Sequence, residues 1–255
     1  MPFLTLESDC AALEGENAVI YQAILFDLDD TLFSLRGCEA EALQRTLEYA
    51  GLLSRLPTDY AERYAAISSA YWAARTTDGY TQYTREQVIE LSWRDFLSHH
   101  GLDAALSTGL ADRFWAEYCQ SAGFNPGARE TLRRLSLSYR LGIVTNGYSD
   151  SQRGRLQAAG LLHVFDPLLI SEEVGVAKPD ARIFELALTK LRLRPDEVLY
   201  VGDSISHDRA GCLRAGIDFC HYRPGGETAD PLPNTRYRIT ELTELISILL
   251  PNLTP

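Results

Sequence analysis

Three aspartates stand within four residues directly after a short apolar run, in the segment FDLDDTLF at residues 26–33. They are Asp27, Asp29 and Asp30. An unpaired charge inside a strand is costly, so this spacing predicts that a buried strand ends here and continues into a loop. The carboxyl edge of a parallel sheet is where ligands bind in α/β proteins. The segment therefore predicts a metal-dependent site with a carboxylate that acts on a substrate, and Asp30 is expected to be a structural residue of the turn or helix start.

Three more polar clusters follow apolar runs further along the chain. Thr145 and Asn146 come after LGIV, and Lys178 stands in VAKPD. Asp203 and Asp208 belong to GDSISHD, which follows VLYV. Together the four clusters contain what phosphoryl transfer requires: a carboxylate nucleophile, acids that hold a hard cation, groups that bind phosphoryl oxygens, and a Lys that neutralises developing charge.

The composition restricts the class of protein. The 255 residues suffice for one large or two modest domains, and the net charge of −11 argues against a broad basic face that binds nucleic acid. No apolar run approaches the ~20 residues that cross a bilayer, and the first residues lack a signal-peptide pattern. Five scattered cysteines without a CxxC pair favour reduced thiols. We expect a cytoplasmic protein whose partner is a small phosphorylated metabolite, not a nucleic-acid polymer or a membrane; oligomeric state is left open.

Strand and helix patterns alternate along most of the chain. Strands are predicted at residues 23–28, 141–144, 168–170, 198–201 and 217–222. Helices are predicted at residues 128–135, 152–159, 181–191, 208–215 and from about 240 to 250. Such alternation implies right-handed crossovers and a doubly wound parallel sheet of the α/β class.

The stretch between the first strand and the rest has a helical pattern throughout, so we predict that it is a helical cap inserted into the α/β core. The predicted segments are an N-terminal extension at 1–21, a core at 22–33 and 126–255, and a cap at 34–125. Hinges are expected near residues 33–37 and 123–127. Within the cap, Thr84 and Gln87 predict a capping box at a helix start.

The cap holds 13 of the 25 aromatic residues. Helical spacing makes most of them cap core, although a few could stack on a nucleobase. The polar stretch at residues 76–85 is expected to be a solvated loop between helices, with substrate contact as the alternative. His99 and His100 point about 100° apart on a helix, so they are expected to be exposed residues, not a metal-binding pair.

The four clusters, in this order, resemble the motifs of the haloacid dehalogenase-like (HAD) superfamily. DLDDT resembles its first motif, Thr145 its second, Lys178 its third and GDSISHD its fourth. The resemblance covers roughly residues 22–225 and includes a helical cap between the first two motifs. TNGYSDSQRGRLQAAGL and ISEEVGVAKPDARIFELAL are similar to the HAD branch that includes pyrimidine 5′-nucleotidases and N-acylneuraminate-9-phosphatase.

The resemblance implies roles for the acids. Asp27 would attack phosphorus and form an aspartyl-phosphate, and Asp29 would act as general acid and then as general base. Mg²⁺ would be held by Asp27, the backbone carbonyl of Asp29, and Asp203. Asp208 would support the metal site or Lys178 from behind.

It also implies how the phosphoryl group is bound. Thr145 would use its hydroxyl, Asn146 its backbone N–H, and Lys178 its charge. The carbon–halogen branch of the superfamily does not carry an acid two residues after its nucleophile, so Asp29 favours phosphate esters.

The implied activity is Mg²⁺-dependent hydrolysis of a small phosphate monoester, with a nucleoside 5′-monophosphate as the preferred substrate. Alternatives are a sugar-phosphate or acyl-sugar-phosphate phosphatase and a phosphomutase of the same superfamily. A catalytically silent regulatory or interaction protein on the HAD scaffold is the non-enzyme alternative. The intact set of Asp27, Asp29, Lys178 and Asp203 argues against that last reading, since a pure binding module does not need it.

Overall fold

The computed structural model describes residues 21–77, 80–226 and 233–251, so the predicted N-terminal extension up to residue 20 lies outside the described part. The strands in these ranges are β1 (Ala23–Phe26), β2 (Thr76–Thr77), β3 (Tyr80–Thr81), β4 (Arg140–Thr145), β5 (Leu168–Ile170), β6 (Val198–Gly202), β7 (Asp218–Tyr222) and β8 (Tyr237–Ile239). The α-helices are α1 (Leu35–Tyr49), α2 (Tyr60–Ala74), α3 (Arg85–His99), α4 (Ser107–Tyr118), α5 (Ala128–Leu135), α6 (Ser149–Ala158), α7 (Ser171–Val174), α8 (Ala181–Leu191), α9 (Ala210–Ala215) and α10 (Glu244–Leu249).

Six strands form one parallel sheet in the order β5-β4-β1-β6-β7-β8. The central strand β1 is apolar and buried along its whole length, as expected for a parallel strand that is covered on both faces. Ile24 and Phe26 belong to the hydrophobic cluster on one face, and Ala23 and Leu25 to the cluster on the other. The predicted doubly wound α/β fold is confirmed.

The first strand ends earlier than predicted, at Phe26 and not at residue 28. The N–H of Asp27 still donates to the carbonyl of Val201 at 2.9 Å, but the chain then turns. Asp30 adopts a left-handed φ of 54°, and its carboxylate accepts a hydrogen bond from Leu35 N at the start of α1. Asp30 is therefore a turn and helix-start residue, as the sequence predicted.

Other elements also differ from the prediction. The edge strand β8 and the single-turn helix α7 were not predicted, because each is too short to show a period. The last helix begins at Glu244 instead of about residue 240, since the Glu244 carboxylate accepts hydrogen bonds from the N–H groups of Thr240 and Glu241 and holds them outside the helix. A π-helical turn, Ile205–Arg209, precedes α9 and replaces its predicted first residues.

Helices α1–α4 form the insertion between β1 and β4. Its core is an aromatic cluster in which Tyr64 contacts Trp93, Phe96 and Phe114 with ring-centre distances of 5.3 to 5.5 Å. The prediction that it is helical throughout is wrong at β2 and β3, which pair as an antiparallel hairpin. The predicted capping box at Thr84 and Gln87 is confirmed at the start of α3.

The two chain segments that join the insertion to the sheet lie side by side. Ser34 N donates to Gly123 O at 2.8 Å, and Asn125 N donates to Leu32 O at 2.9 Å. These bonds fall within or beside the two predicted hinge regions. The insertion is thus anchored to the residues that directly follow the Asp27 loop.

The described helices and cysteines bear on two expectations from composition, the absence of a membrane span and the presence of reduced thiols. None of the described helices has the length and apolar character needed to cross a bilayer. The four described cysteines, Cys38, Cys119, Cys212 and Cys220, are free thiols.

Candidate active site

A buried ammonium joins two carboxylates at the carboxyl edge of the sheet. Lys178 Nζ lies 2.7 Å from Asp27 Oδ1 and 2.7 Å from Asp208 Oδ1. The Lys178 side chain is 2% exposed and that of Asp208 is fully buried, so solvent screens these ion pairs little. Burial alone would lower the pKa of Lys178, but the two carboxylates outweigh burial and raise this pKa above its ordinary value. The ammonium therefore keeps its charge beside Asp27.

Tyr200, in the middle of β6, contacts this ion pair through its hydroxyl. Its hydroxyl accepts a hydrogen bond from Lys178 Nζ at 3.0 Å and donates to Val144 O at 2.8 Å. Asp208 is fixed on its other side, because its Oδ2 accepts from Ser204 N at 3.0 Å. A side chain at Gly202 would collide with this carboxylate, which explains the glycine at the end of β6.

Asp203 brings a third carboxylate to the same edge. Oxygens of Asp27, Asp203 and Asp208 all lie within 4.8 Å of one another. The Thr31 hydroxyl donates to Asp203 Oδ1 at 3.4 Å, and His221 Nε2 donates to the Asp203 carbonyl at 3.0 Å. His221 is thus a structural neighbour of the site.

The charges of this cluster do not balance among the protein groups. Three carboxylates face one ammonium, which leaves two negative charges in surplus. Burial, opposed by Lys178 and reinforced by Asp208, raises the pKa of Asp27 above its ordinary range. Burial and the charge of Asp208 raise the pKa of Asp203 to about 6. Oxygen donors with unbalanced negative charge suit a hard divalent cation such as Mg²⁺.

The available oxygens differ among the three acids. Both oxygens of Asp208 accept hydrogen bonds, from Lys178 and from Ser204. Asp27 Oδ1 faces Lys178 and accepts from Leu28 N at 2.8 Å, whereas no described residue donates to its Oδ2. Asp27 and Asp203 are therefore better placed than Asp208 to ligate a cation. The division between metal ligands and a supporting Asp208 stays a prediction.

Asn146 fixes the backbone that carries Lys178. Its side-chain Oδ1 accepts from Lys178 N at 2.8 Å, and its Nδ2 donates to Lys178 O at 2.9 Å. Both polar groups of this side chain thus bind the backbone of Lys178, and phosphoryl binding by the Asn146 backbone N–H stays a prediction. Thr145, the last residue of β4, is fully buried beside it.

Asp29 points away from the acid cluster and toward α6. Arg155 NH1 donates to Asp29 Oδ1 at 2.6 Å, and Gln152 Nε2 donates to Asp29 Oδ2 at 2.9 Å. The same Gln152 amide donates to the Thr145 hydroxyl at 2.9 Å and accepts from Arg155 NH2. The network therefore connects the predicted acid/base to the predicted phosphate-binding hydroxyl.

Arg155 is an unusual residue for a helix interior. Its side chain is 1% exposed, and its guanidinium lies 4.8 Å from the ring centre of Tyr118 in the insertion. Burial alone would lower the pKa of Arg155, but the nearby Asp29 carboxylate outweighs burial and raises it. Sequence reasoning missed both Arg155 and Gln152; their i, i+3 spacing in the helix after Thr145 is the signal that could have indicated them.

A cavity of 390 Å³ lies between the core and the insertion, with Asp29 in its wall. We call it the leaving-group cavity. Its core side includes Asp29, Tyr148 and Arg155, and its insertion side includes Glu39, Trp72 and Tyr118. The predicted core acids Asp27, Asp203 and Asp208 do not line it. A substrate that reaches Asp27 past Asp29 would extend into this cavity.

One contact between insertion and core stands beside the cavity. Arg85, at the start of α3, forms a 2.8 Å salt bridge with Asp150 of α6, and Trp115 Nε1 donates to the same carboxylate at 2.8 Å. The Arg85 guanidinium also lies 4.4 Å from the ring centre of Trp115 and 4.8 Å from that of Tyr148. The expectation of a purely solvated stretch at residues 76–85 is therefore wrong at its last residue.

The two adjacent histidines of the insertion have different partners. His99 Nε2 lies 3.0 Å from Arg63 NH1, whereas His100 Nδ1 is bonded to Phe96 O at 2.8 Å. His99 is exposed, as expected, but His100 is half-buried, so the expectation that both are exposed is wrong for His100.

Comparison with known proteins assigns the family. Residues 21–216 match the family described as haloacid dehalogenase-like hydrolase, which is more than half of the chain. The chain therefore belongs to the haloacid dehalogenase-like hydrolases.

Individual relatives span several activities. The pyrimidine 5′-nucleotidase YjjG of Escherichia coli is 33% identical over 235 residues, which cover 89% of this chain and 96% of the relative. A (S)-2-haloacid dehalogenase 4A of Burkholderia cepacia is 27% identical over 87% of this chain and 97% of its own. The solved structure of the HAD-hydrolase YfnB from Bacillus subtilis, bound to magnesium, is 28% identical with a TM-score of 0.74 and covers 90% of this chain and 99% of YfnB.

Proposed function

We propose that the protein is a Mg²⁺-dependent phosphatase that hydrolyses small phosphate monoesters, with a nucleoside 5′-monophosphate as its preferred substrate, in the cytoplasm. One observation carries the reaction class: a second carboxylate, Asp29, stands two residues after the Lys178-paired Asp27 and faces the cavity where a leaving group would lie. Relatives that act on carbon–halogen bonds have no need for such an acid, whereas ester cleavage needs a proton for its leaving oxygen.

The first half-reaction forms a covalent intermediate. A carboxylate oxygen of Asp27 forms a bond to phosphorus while the bond from phosphorus to the ester oxygen breaks. Asp29 gives its proton to that departing oxygen, and Lys178 neutralises the charge of the phosphoryl group. Thr145 and the backbone of Asn146 bind the phosphoryl oxygens.

The second half-reaction releases phosphate. Asp29, now ionised, takes a proton from a water that attacks phosphorus, and the bond from phosphorus to the Asp27 oxygen breaks. Bound Mg²⁺ would supply charge neutralisation for the phosphoryl oxygens. Asp27 Oδ2, Asp203 and the backbone carbonyl of Asp29 are the groups proposed to hold it.

The aromatic lining of the cavity supports the proposed substrate preference. Trp72, Trp115, Tyr118 and Tyr148 line it, and a flat heterocyclic base fits an aromatic lining better than a sugar does. The nucleotidase YjjG among the relatives supports the same preference. A sugar phosphate remains the alternative substrate, and a phosphomutase the alternative reaction.

The test is phosphate release by the purified protein from uridine 5′-monophosphate, ribose 5-phosphate and p-nitrophenyl phosphate. We expect turnover in Mg²⁺ that EDTA abolishes, a higher kcat/KM for the nucleotide than for ribose 5-phosphate, and no turnover by Asp27→Asn. Asp203→Ala should need more Mg²⁺ for half-maximal rate. Full activity in excess EDTA would contradict the metal, and halide release from 2-chloropropionate without any phosphate release would contradict the reaction class. Phosphoryl return to a bisphosphorylated product would favour the mutase.

A further inference from the structure

Glu39 places a carboxylate in the wall of the leaving-group cavity. It belongs to α1, and its Oε1 accepts a hydrogen bond from the Ser68 hydroxyl at 2.7 Å. Within the part of the chain that the structure describes, no Lys, Arg or His forms a salt bridge with Glu39. Burial raises its pKa above the ordinary value. The charge of Arg36, one turn earlier in α1, opposes this effect only in part, and it forms no salt bridge with Glu39. A half-buried acid without a salt-bridge partner is costly, so this position calls for an explanation.

Tyr148 presents an unsatisfied polar group. It lines the same cavity from the core side, and its buried hydroxyl has no hydrogen-bond partner among the described residues. Its ring lies 6.4 Å from that of Trp72 and 5.9 Å from that of Trp115, centre to centre. The polar groups of the cavity thus include the Glu39 acceptor and the unpartnered Tyr148 hydroxyl beside flat apolar surfaces. Buried polar groups of this kind are satisfied by a ligand or by water.

We propose that Glu39 is a specificity-determining residue that accepts a hydrogen bond from an N–H group of a flat, uncharged heterocycle on the leaving group. The proposal rests on the phosphatase function above, because the phosphoryl end is fixed at Asp27 and the leaving group must then occupy the cavity. Uracil, with its ring N–H between two carbonyls, has the required chemistry. A second anionic group on the substrate would meet the Glu39 charge and be disfavoured.

A purely structural role is the competing explanation, since the Ser68 hydrogen bond ties α1 to α2. The two explanations predict different results. A structural tie would affect every substrate through folding of the insertion, whereas a recognition residue would affect only substrates that carry the donor. Ser68→Ala removes the tie and keeps the Glu39 carboxylate, and is therefore the matched control.

The experiment compares kcat/KM of the full chain in Mg²⁺ for uridine 5′-monophosphate, its N3-methyl derivative and p-nitrophenyl phosphate. The wild type should prefer the unmethylated nucleotide by at least about 10-fold, because the methylated base leaves the Glu39 acceptor unpaired. Glu39→Leu should lower kcat/KM for uridine 5′-monophosphate by about 30-fold. It should change the other two substrates by less than about 3-fold, so the preference for the unmethylated base shrinks. Ser68→Ala should keep that preference.

Three results would overturn the proposal. One is a wild type that does not distinguish the methylated from the unmethylated nucleotide; another is an equal loss on all substrates in Glu39→Leu, matched by Ser68→Ala. If Glu39→Leu does not fold, Glu39→Gln takes its place, because it keeps the acceptor for Ser68. Its kcat/KM for uridine 5′-monophosphate should fall by about 5-fold, since a neutral acceptor forms the weaker hydrogen bond. The third contrary result is that Glu39→Gln shows no selective loss on this substrate. Failure of the wild type to release phosphate from p-nitrophenyl phosphate would instead overturn the phosphatase function itself.

Discussion

The carboxyl edge of the sheet and the leaving-group cavity are built in opposite ways. At the sheet edge, Lys178 is held by two carboxylates and a phenol, and Asp208 has a partner on each oxygen. In the cavity, Glu39 has one hydroxyl partner and the Tyr148 hydroxyl has none among the described residues. We therefore expect substitutions at the sheet edge to be poorly tolerated and substitutions in the cavity to alter substrate preference.

The energetic cost of disturbing the two regions should differ in the same direction. Removing one partner from a buried ion pair costs about 3–5 kcal/mol, because the other charge is left uncompensated. An exposed pair contributes about 0–1 kcal/mol. Changes at the sheet edge are therefore expected to reduce both stability and rate, whereas changes at the cavity should mainly redistribute rate among substrates.

Asp29 stands where the sheet edge and the cavity meet, so its substitution should reduce the turnover rate strongly. Asp29→Asn should lower kcat for uridine 5′-monophosphate by roughly 10²–10⁴-fold, the range for a positioned proton-transfer group. The loss should be smaller for p-nitrophenyl phosphate, whose leaving oxygen needs no proton, if leaving-group departure limits the rate. Steady-state kinetics on both esters measures the difference. Equal losses on the two, without accumulation of phosphorylated enzyme, would assign Asp29 to the metal site or to structure.

A smaller effect is expected from Arg155, which positions Asp29. Arg155→Met should lower kcat for uridine 5′-monophosphate by about 10-fold, because Asp29 is then held by Gln152 alone. It should also reduce the free energy of unfolding by about 2 kcal/mol, less than for a fully buried pair since Asp29 is a quarter exposed.

Arg153→Met is the matched control for Arg155. Arg153 lies two residues earlier in α6 and pairs with Glu173 at the surface. Chemical denaturation and kinetics of the two variants should differ clearly. A normal rate ratio between poor and good leaving groups in Arg155→Met would remove the positioning role and leave a stability role only.

The smallest expected effect is at Arg85, which joins the insertion to the core. Arg85→Met should raise KM for uridine 5′-monophosphate by about 3-fold with little change for p-nitrophenyl phosphate, and should cost less than about 1 kcal/mol of stability. Arg94→Met, in the same helix and exposed beside Glu90, is the control. If both variants behave alike, the contact of Arg85 with Asp150 does not contribute to substrate binding.

The sequence predicted the sheet edge well because each of its residues follows an apolar strand. Parallel strands bring their carboxyl ends together, so Asp27, Thr145 and Asp203 could be placed in one site without knowledge of side-chain positions. The position of Lys178 followed from the same rule, although the strand before it, β5, is separated from it by α7.

The cavity could not be predicted in the same way. Arg155 and Glu39 acquire their roles from the rotation of α6 and α1 about their axes and from how the insertion packs on the core. Neither residue interrupts a pattern in the sequence, since a charged side chain in a helix is usually on the solvated face. Arg155 is buried against Asp29 and Tyr118, which come from distant parts of the sequence.

In the proposed mechanism, Asp27 carries the phosphoryl group during turnover. The direct test mixes the Asp29→Asn variant, Mg²⁺ and excess p-nitrophenyl phosphate, quenches in acid, and determines peptide masses. We predict that the peptide containing Asp27 gains the mass of one phosphoryl group, because departure of this leaving group is fast while water attack lacks its base. The same peptide from Asp27→Asn should gain nothing. The account would be contradicted if the wild type hydrolyses the ester while Asp27 of the Asp29→Asn variant gains no phosphoryl group.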